Sequence, residues 1–301
     1  MDSAQAFVEL IKASSYKDKE LGVLTPLTNI TFFLGAGFSK SWDTSFPTGT
    51  ELFSFDISKY NDDFYEFVDN IGYGNKAKLT FSTFKDIAYQ LSMQKKYSSI
   101  RSRYIDTYNL NFVENSINAA ITKRFKEIAH LNHVKNHTEK LKLTTTPTTD
   151  QKNIVNFFRW IHDQSTGDTD EIPEGVRPHY ITTNYDFLIE SILDETLSPD
   201  DTHLLYTYRG FTPVSTNGVN TPRTVFNHWL VQSLIKINGG FEIFKNGENN
   251  FSVDYRSKSE EELKHNAPVQ LCQTENKIIQ EHIFRQYSQK QLGRYKKRIF
   301  W

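Results

Sequence analysis

The chain has 301 residues, of which 38% are hydrophobic and 24% charged, enough apolar material for a large core inside a solvated surface. Its 35 basic and 36 acidic residues leave a formal net charge of -1, which supplies no global field for nucleic acid or an anionic membrane. The mean hydropathy of -0.56, a most apolar run of only Ile30 to Phe38 and a single cysteine, Cys272, argue against a spanning helix, an intrachain disulfide and a four-cysteine zinc site.

Ser3 to Lys12 is predicted helical, with Ala6, Phe7, Leu10 and Ile11 on one face and Ser3 as N-cap. Ile30 to Leu34 is a β-rich run that enters Gly35-Ala36-Gly37, the pattern of a buried strand meeting a tight turn. From Glu51 to about Asp163 the texture is mainly helical, and Phe112 or Val113, Ile117, Ile121, Phe125 and Ile128 follow one stripe. Leu143 to Asp150 is a breaker-rich linker, with Asp150 expected to cap a helix through Ile154, Phe157, Phe158 and Ile161. Thr166 to Pro178 is predicted to be a loop. His179 to Thr182, Leu204 to Tyr208 and Ser233 to Ile237 are strand candidates, the last running into Asn238-Gly239-Gly240. A helix is expected over Phe187 to Leu193, a strand-like piece at Pro268 to Leu271 and a helix over Ile278 to Lys297. The expected architecture is a single α/β domain over residues 1–301, a parallel sheet with a large helical insertion at about 51–175. Its start, Met1-Asp2-Ser3, has no basic or apolar leader pattern, so a cytoplasmic location is expected.

Two segments could carry chemistry. In Gly35-Ala36-Gly37-Phe38-Ser39 a Gly-x-Gly turn after a strand lets backbone N–H groups approach a phosphate. The third glycine of the dinucleotide fingerprint would fall at Lys40, and no Gly-Lys-Ser/Thr ends the loop, so neither the ordinary Rossmann motif nor a P-loop is met. In Thr182-Thr183-Asn184-Tyr185-Asp186, Asp186 can cap the next helix while Asn184 projects at the sheet edge. An amide there donates and accepts, so it can hold a ribose hydroxyl or a water.

GAGFS, then Phe46-Pro47-Thr48-Gly49, then TTNYDFLIE resembles the SIR2 superfamily, and among its members the NAD-consuming effectors of bacterial antiphage defence. The resemblance covers roughly residues 27–50 and 178–290. It implies a Rossmann-like, SIR2-type sheet and an NAD+ hydrolase that breaks the nicotinamide–ribose bond, with NAD as substrate and no metal. It further implies that Gly35, Ala36, Gly37, Phe38, Ser39 and Pro47 cradle the nucleotide while Thr183, Asn184 and Asp186 line the ribose end. An activity that depletes NAD harms its own cell, so the resemblance implies gating by a sensor or regulatory subunit, by self-assembly, or by both.

The family also implies a strand ending in His-Gly-Ser. The matching segment is Leu234-Ile235-Lys236-Ile237-Asn238-Gly239-Gly240, with Asn238 in the histidine's place. Asparagine has no titratable group near neutrality and cannot act as general base. Either the chain is naturally altered there, or it is an inactivated variant that would trap a ligand, or His228 in Phe226-Asn227-His228-Trp229 takes the role. A catalytically silent module that binds NAD or ADP-ribose is the alternative, and Asn238 favours it. Deacylation would need two cysteine pairs. The closing strand that family members carry near their end is not apparent before Trp301. His133 and His137 have the i, i+4 spacing of zinc ligands, and His130 joins them on one helix side, but no glutamate lies between them and a solvated helix is the expectation. Arg294, Lys296, Lys297 and Arg298 read as a wet helix end.

Overall fold

The computed structural model describes residues 2–15, 28–53, 55–56, 78–79, 81–100, 106–128, 132–135, 139–143, 146–165, 176–197, 233–245, 251–270 and 298–300. In chain order these form α1 (Ser3–Ser15), β1 (Thr28–Leu34), α2 (Ala36–Trp42), α3 (Gly49–Leu52), β2 (Phe55–Asp56), β3 (Lys78–Leu79), α4 (Phe81–Lys96) and α5 (Thr107–Ile128). They continue as α6 (Thr149–Ser165), β4 (Val176–Thr182), α7 (Leu188–Thr196), β5 (Ser233–Lys236), β6 (Gly239–Lys245), β7 (Phe251–Val253), α8 (Glu260–His265), β8 (Pro268–Gln270) and β9 (Arg298–Phe300).

The fold is mixed α/β. β5, β4 and β1 lie side by side in parallel, from Thr28 opposite Val176 to Leu34 opposite Thr182, and from His179 opposite Ser233 to Thr182 opposite Lys236. β9 adds three residues on the far side of β1, with Ile30 opposite Arg298. Arg298 therefore lies in a strand rather than at a helix end. The loop predicted over Thr166 to Pro178 ends earlier: β4 begins at Val176 and takes in Pro178, which lies opposite Ile30 in the ladder with β1 and one residue before the described pairing with β5.

Phe32, Leu34, Tyr180 and Leu234 pack against α6 and α7, with Trp42, Val155, Phe158, Leu188, Ile189, Ile192 and Leu193 closing the cluster. Phe32 stacks on Tyr180 with centroids 5.5 Å apart and meets Phe158 edge-on at 6.0 Å. Full burial of such a side chain is worth about 1.5–3 kcal/mol relative to exposure. The stripe on α5 is read with Val113, Ile117, Ile121 and Phe125, all buried, while Phe112 is half-buried. α6 is capped by Thr148, not by Asp150: Gln151 N–H donates to Thr148 Oγ1 at 3.3 Å and Thr148 N–H to Gln151 Oε1 at 2.9 Å. Asp150 lies one residue inside the helix, too late to cap it.

α5 packs against β6 through aromatic rings. Phe125 of α5 meets Phe241 of β6 at 4.7 Å, and Phe241 meets Tyr185 at 6.0 Å. β6 belongs to a second, antiparallel sheet of order β7-β6-β8. No alternation announced β6, because Phe241, Glu242, Ile243 and Phe244 are all buried. Among the described residues no helix is long and apolar enough to cross a membrane. Leu204 to Tyr208, Ile278 to Lys297, His228, His130, His137 and Cys272 lie outside the described residues.

Candidate functional site

β1, β4 and β5 run in the same direction, so their carboxyl ends lie at one edge and deliver Gly35, Thr183 and Asn238 side by side. The ladder extends into the turns: Thr183 N–H donates to Leu34 O at 3.2 Å and Ile237 N–H to Thr182 O at 2.9 Å. Asn238 Nδ2 then donates to Thr183 O at 3.3 Å. All three sequence motifs meet there.

Asn184 links them. Its backbone N–H donates to Thr182 Oγ1 at 3.0 Å, while its Nδ2 donates to Gly35 O at 2.9 Å and to Ser39 Oγ at 2.8 Å. Both amide protons are thus committed inside the protein, and Oδ1 is the atom left to meet a ligand. Ser39 in turn donates to Asp186 Oδ2 at 2.8 Å, and Asp186 Oδ1 accepts from Leu188 N–H at 3.0 Å; the N-cap of α7 is Phe187, so Asp186 stands one residue before the cap position and holds only the first N–H of the helix.

Ser39 and Asp186, expected to face the nucleotide, are instead internal. They are 2% and 5% exposed, and their hydrogen-bonding groups hold Asn184 and α7. Burial pushes the Asp186 carboxyl above its usual range, and the neighbouring Lys236 charge opposes that rise. Phe38 also turns inward, edge-on to Phe158 at 6.1 Å. Phe46 meets Phe125 at 5.9 Å and so ties the segment before half-buried Pro47 to α5.

The glycines behave differently from one another. A Cβ built on Gly37 would meet nothing within 4 Å, and one on Gly35 would only touch Thr183 Oγ1 at 3.9 Å. Gly35 sits at φ -106°, a conformation open to any residue. The protein's own packing therefore does not demand either glycine, whereas a ligand pressed onto this backbone would. Gly239 has φ 86°, the left-handed region that favours glycine, and turns the chain from β5 into β6. A Cβ on Gly240 would fall 2.2 Å from Glu242 Oε2, so any larger residue there must displace the Glu242 carboxylate.

The loop after α2 is fastened by a capping box. Thr48 N–H donates to Glu51 Oε2 at 2.6 Å, and Lys40 Nζ reaches the same carboxylate at 2.9 Å. The Thr48 hydrogen bond, aided by Lys40, lowers the Glu51 pKa to about 2.

Beneath the edge lies a buried group that the motifs did not identify: Lys236, Glu190 and Glu242. The readable signal was a lone charge inside each of three apolar runs, Leu234 to Ile237, Phe187 to Ile192 and Phe241 to Phe244. His133 lies past the end of α5 rather than on a helix, with Nδ1 3.1 Å from Tyr255 O and its ring edge-on to Phe187 at 5.5 Å. Burial lowers its pKa, favouring the neutral form. Among the described residues no group of three or more His, Cys, Asp or Glu side chains is placed to hold a metal ion. Comparison with protein-family models finds none that matches the chain, and comparison with curated proteins finds no match.

Proposed function

We infer that this protein is a SIR2-like NAD+ hydrolase with a Rossmann-like sheet, the effector of an antiphage defence system. One observation carries the reading: Gly35, Asn184 and Asn238 share the carboxyl edge of three adjacent parallel strands, and Asn184 is hydrogen-bonded directly to the Gly35 loop. Ligands of open α/β sheets bind at that edge, where sheet growth changes direction. Here it changes at β1, with β4 on one side and β9 on the other.

In this reading the open backbone at Gly35–Gly37 receives the pyrophosphate, and Asn184 Oδ1 accepts a hydrogen bond from a ribose hydroxyl or a water. The bond between the nicotinamide nitrogen and C1′ breaks, with both electrons leaving on nicotinamide. Water adds at C1′ and releases a proton. Charge builds on an oxocarbenium-like ribose, so preorganised dipoles and positioning carry much of the acceleration. A histidine at position 238 would take the proton. The activity is gated by a partner protein or by assembly, because unregulated NAD loss harms the host cell.

The test is nicotinamide release from NAD+ by the purified protein, alone and with the proteins encoded beside it. Asn184→Ala should reduce release to buffer background. It removes two hydrogen bonds, so it should cost only about 1–3 kcal/mol of stability. Wild-type turnover in a folded variant refutes the assignment. The second reading, a silent module that binds NAD or ADP-ribose, is favoured by Asn238, which is not titratable. Release above buffer in either arm overturns it.

A further inference from the structure

Three charged residues that the sequence sets in apolar runs converge below the Asn184 loop. The Lys236 side chain has no exposed surface, and its Nζ lies 2.7 Å from Glu190 Oε1 and 3.1 Å from Glu242 Oε2, both equally buried. The same ammonium donates to the carbonyl of Asp186 at 2.5 Å and to that of Tyr185 at 3.4 Å. It also sits 5.1 Å from the centroid of the Phe187 ring.

As a stability device this arrangement is poor. Desolvating the charges consumes most of their mutual attraction, and apolar replacements of similar volume are often neutral or better. What distinguishes Lys236 is the pair of main-chain carbonyls it holds, which belong to the loop that carries Asn184. From there the connection runs through side chains: Asp186 accepts from Ser39, and Ser39 accepts from Asn184.

We propose that Lys236 is a positioning residue: by holding the Tyr185 and Asp186 carbonyls from below, it fixes the peptide that aims the Asn184 amide at the sheet edge. The proposal deepens, and for its kinetic arm rests on, the reading of Asn184 as the group that acts on the ribose. Without the ammonium, the Asp186 carbonyl loses its 2.5 Å contact and the Tyr185 carbonyl keeps only the Phe241 N–H at 3.2 Å, so the loop loosens, Asp186 withdraws from Ser39, and the Asn184 amide loses its fixed orientation. A reacting group displaced by about 1 Å costs on the order of a hundredfold in rate.

The test uses Lys236→Met, and the same change combined with Glu190→Gln and Glu242→Gln, which neutralises both carboxylates that pair directly with Lys236. Two readouts are taken on folded protein: kcat and KM for nicotinamide release, and the side-chain amide resonances of Asn184, assigned by their loss in Asn184→Ala. The expected result is a fall of about a hundredfold in kcat with a small change in KM. With it, the Asn184 resonances should move to the free-amide position. If the wild-type protein releases no nicotinamide, the hydrolase reading fails while the amide resonances still decide the positioning role. Unchanged Asn184 resonances in a folded variant, or wild-type kcat, overturn the proposal. Failure of the charge-balanced triple variant to fold overturns it as well, since Lys236 would then be a structural element.

Discussion

Gly240→Ala adds one methyl group at the most constrained point of the turn between β5 and β6. Its Cβ would lie 2.2 Å from Glu242 Oε2, 2.8 Å from Cδ and 2.9 Å from Oε1, so the whole carboxylate must withdraw. Withdrawal breaks the 3.1 Å contact with Lys236. A hydrogen bond to a charged group is worth about 1.5–3 kcal/mol, and breaking a buried pair costs about 3–5 kcal/mol. The lower figure applies, because Glu190 stays 2.7 Å from Lys236 and keeps it compensated. Alanine recovers about 0.4–1 kcal/mol through the unfolded chain. The net cost should be about 2 kcal/mol, a fall in Tm on the order of 5 °C. A double-mutant cycle with Glu242→Ala tests the cause, since that background removes the carboxylate the methyl group would strike. There Gly240→Ala should be close to neutral, giving a coupling of about 2 kcal/mol. An equal cost in both backgrounds refutes the steric account.

Gly37→Val should leave Tm within a few degrees, since a Cβ there meets nothing within 4 Å, yet weaken NAD+ or ADP-ribose binding by tenfold or more; unchanged affinity in calorimetry would make the loop an ordinary connection. Asn238→His should raise nicotinamide release by about 10² to 10⁴ when any required partner is present, because a general base then faces the ribose. An imidazole N–H can replace the Asn238 donor to Thr183 O, and the rate should fall as pH drops through about 6.5, a dependence the Asn form lacks. If Asn238→His changes nothing while His228→Ala removes existing activity, the histidine role belongs to position 228.

By itself the sequence determined what short-range chemistry dictates. β-rich runs ending in glycine or asparagine placed β1, β4 and β5, and apolar spacing placed α5 and α6, because these signals depend only on neighbours a few residues apart. The same locality made GAGFS and TTNYD stand out as turns at strand ends. Tertiary structure decided everything that depends on residues far apart in the chain. Ser39 and Asp186 are 147 residues apart in sequence, and only folding shows that they bond to each other instead of facing outward. Gly37 and Gly240 look alike on paper, but one borders open space and the other a buried carboxylate. β9 carries only three residues, too few for a pattern, and exists because β1 offers an edge to pair with. Lys236, Glu190 and Glu242 were visible as isolated charges in apolar runs. Their pairing required three different elements to close on one another, which no local pattern encodes.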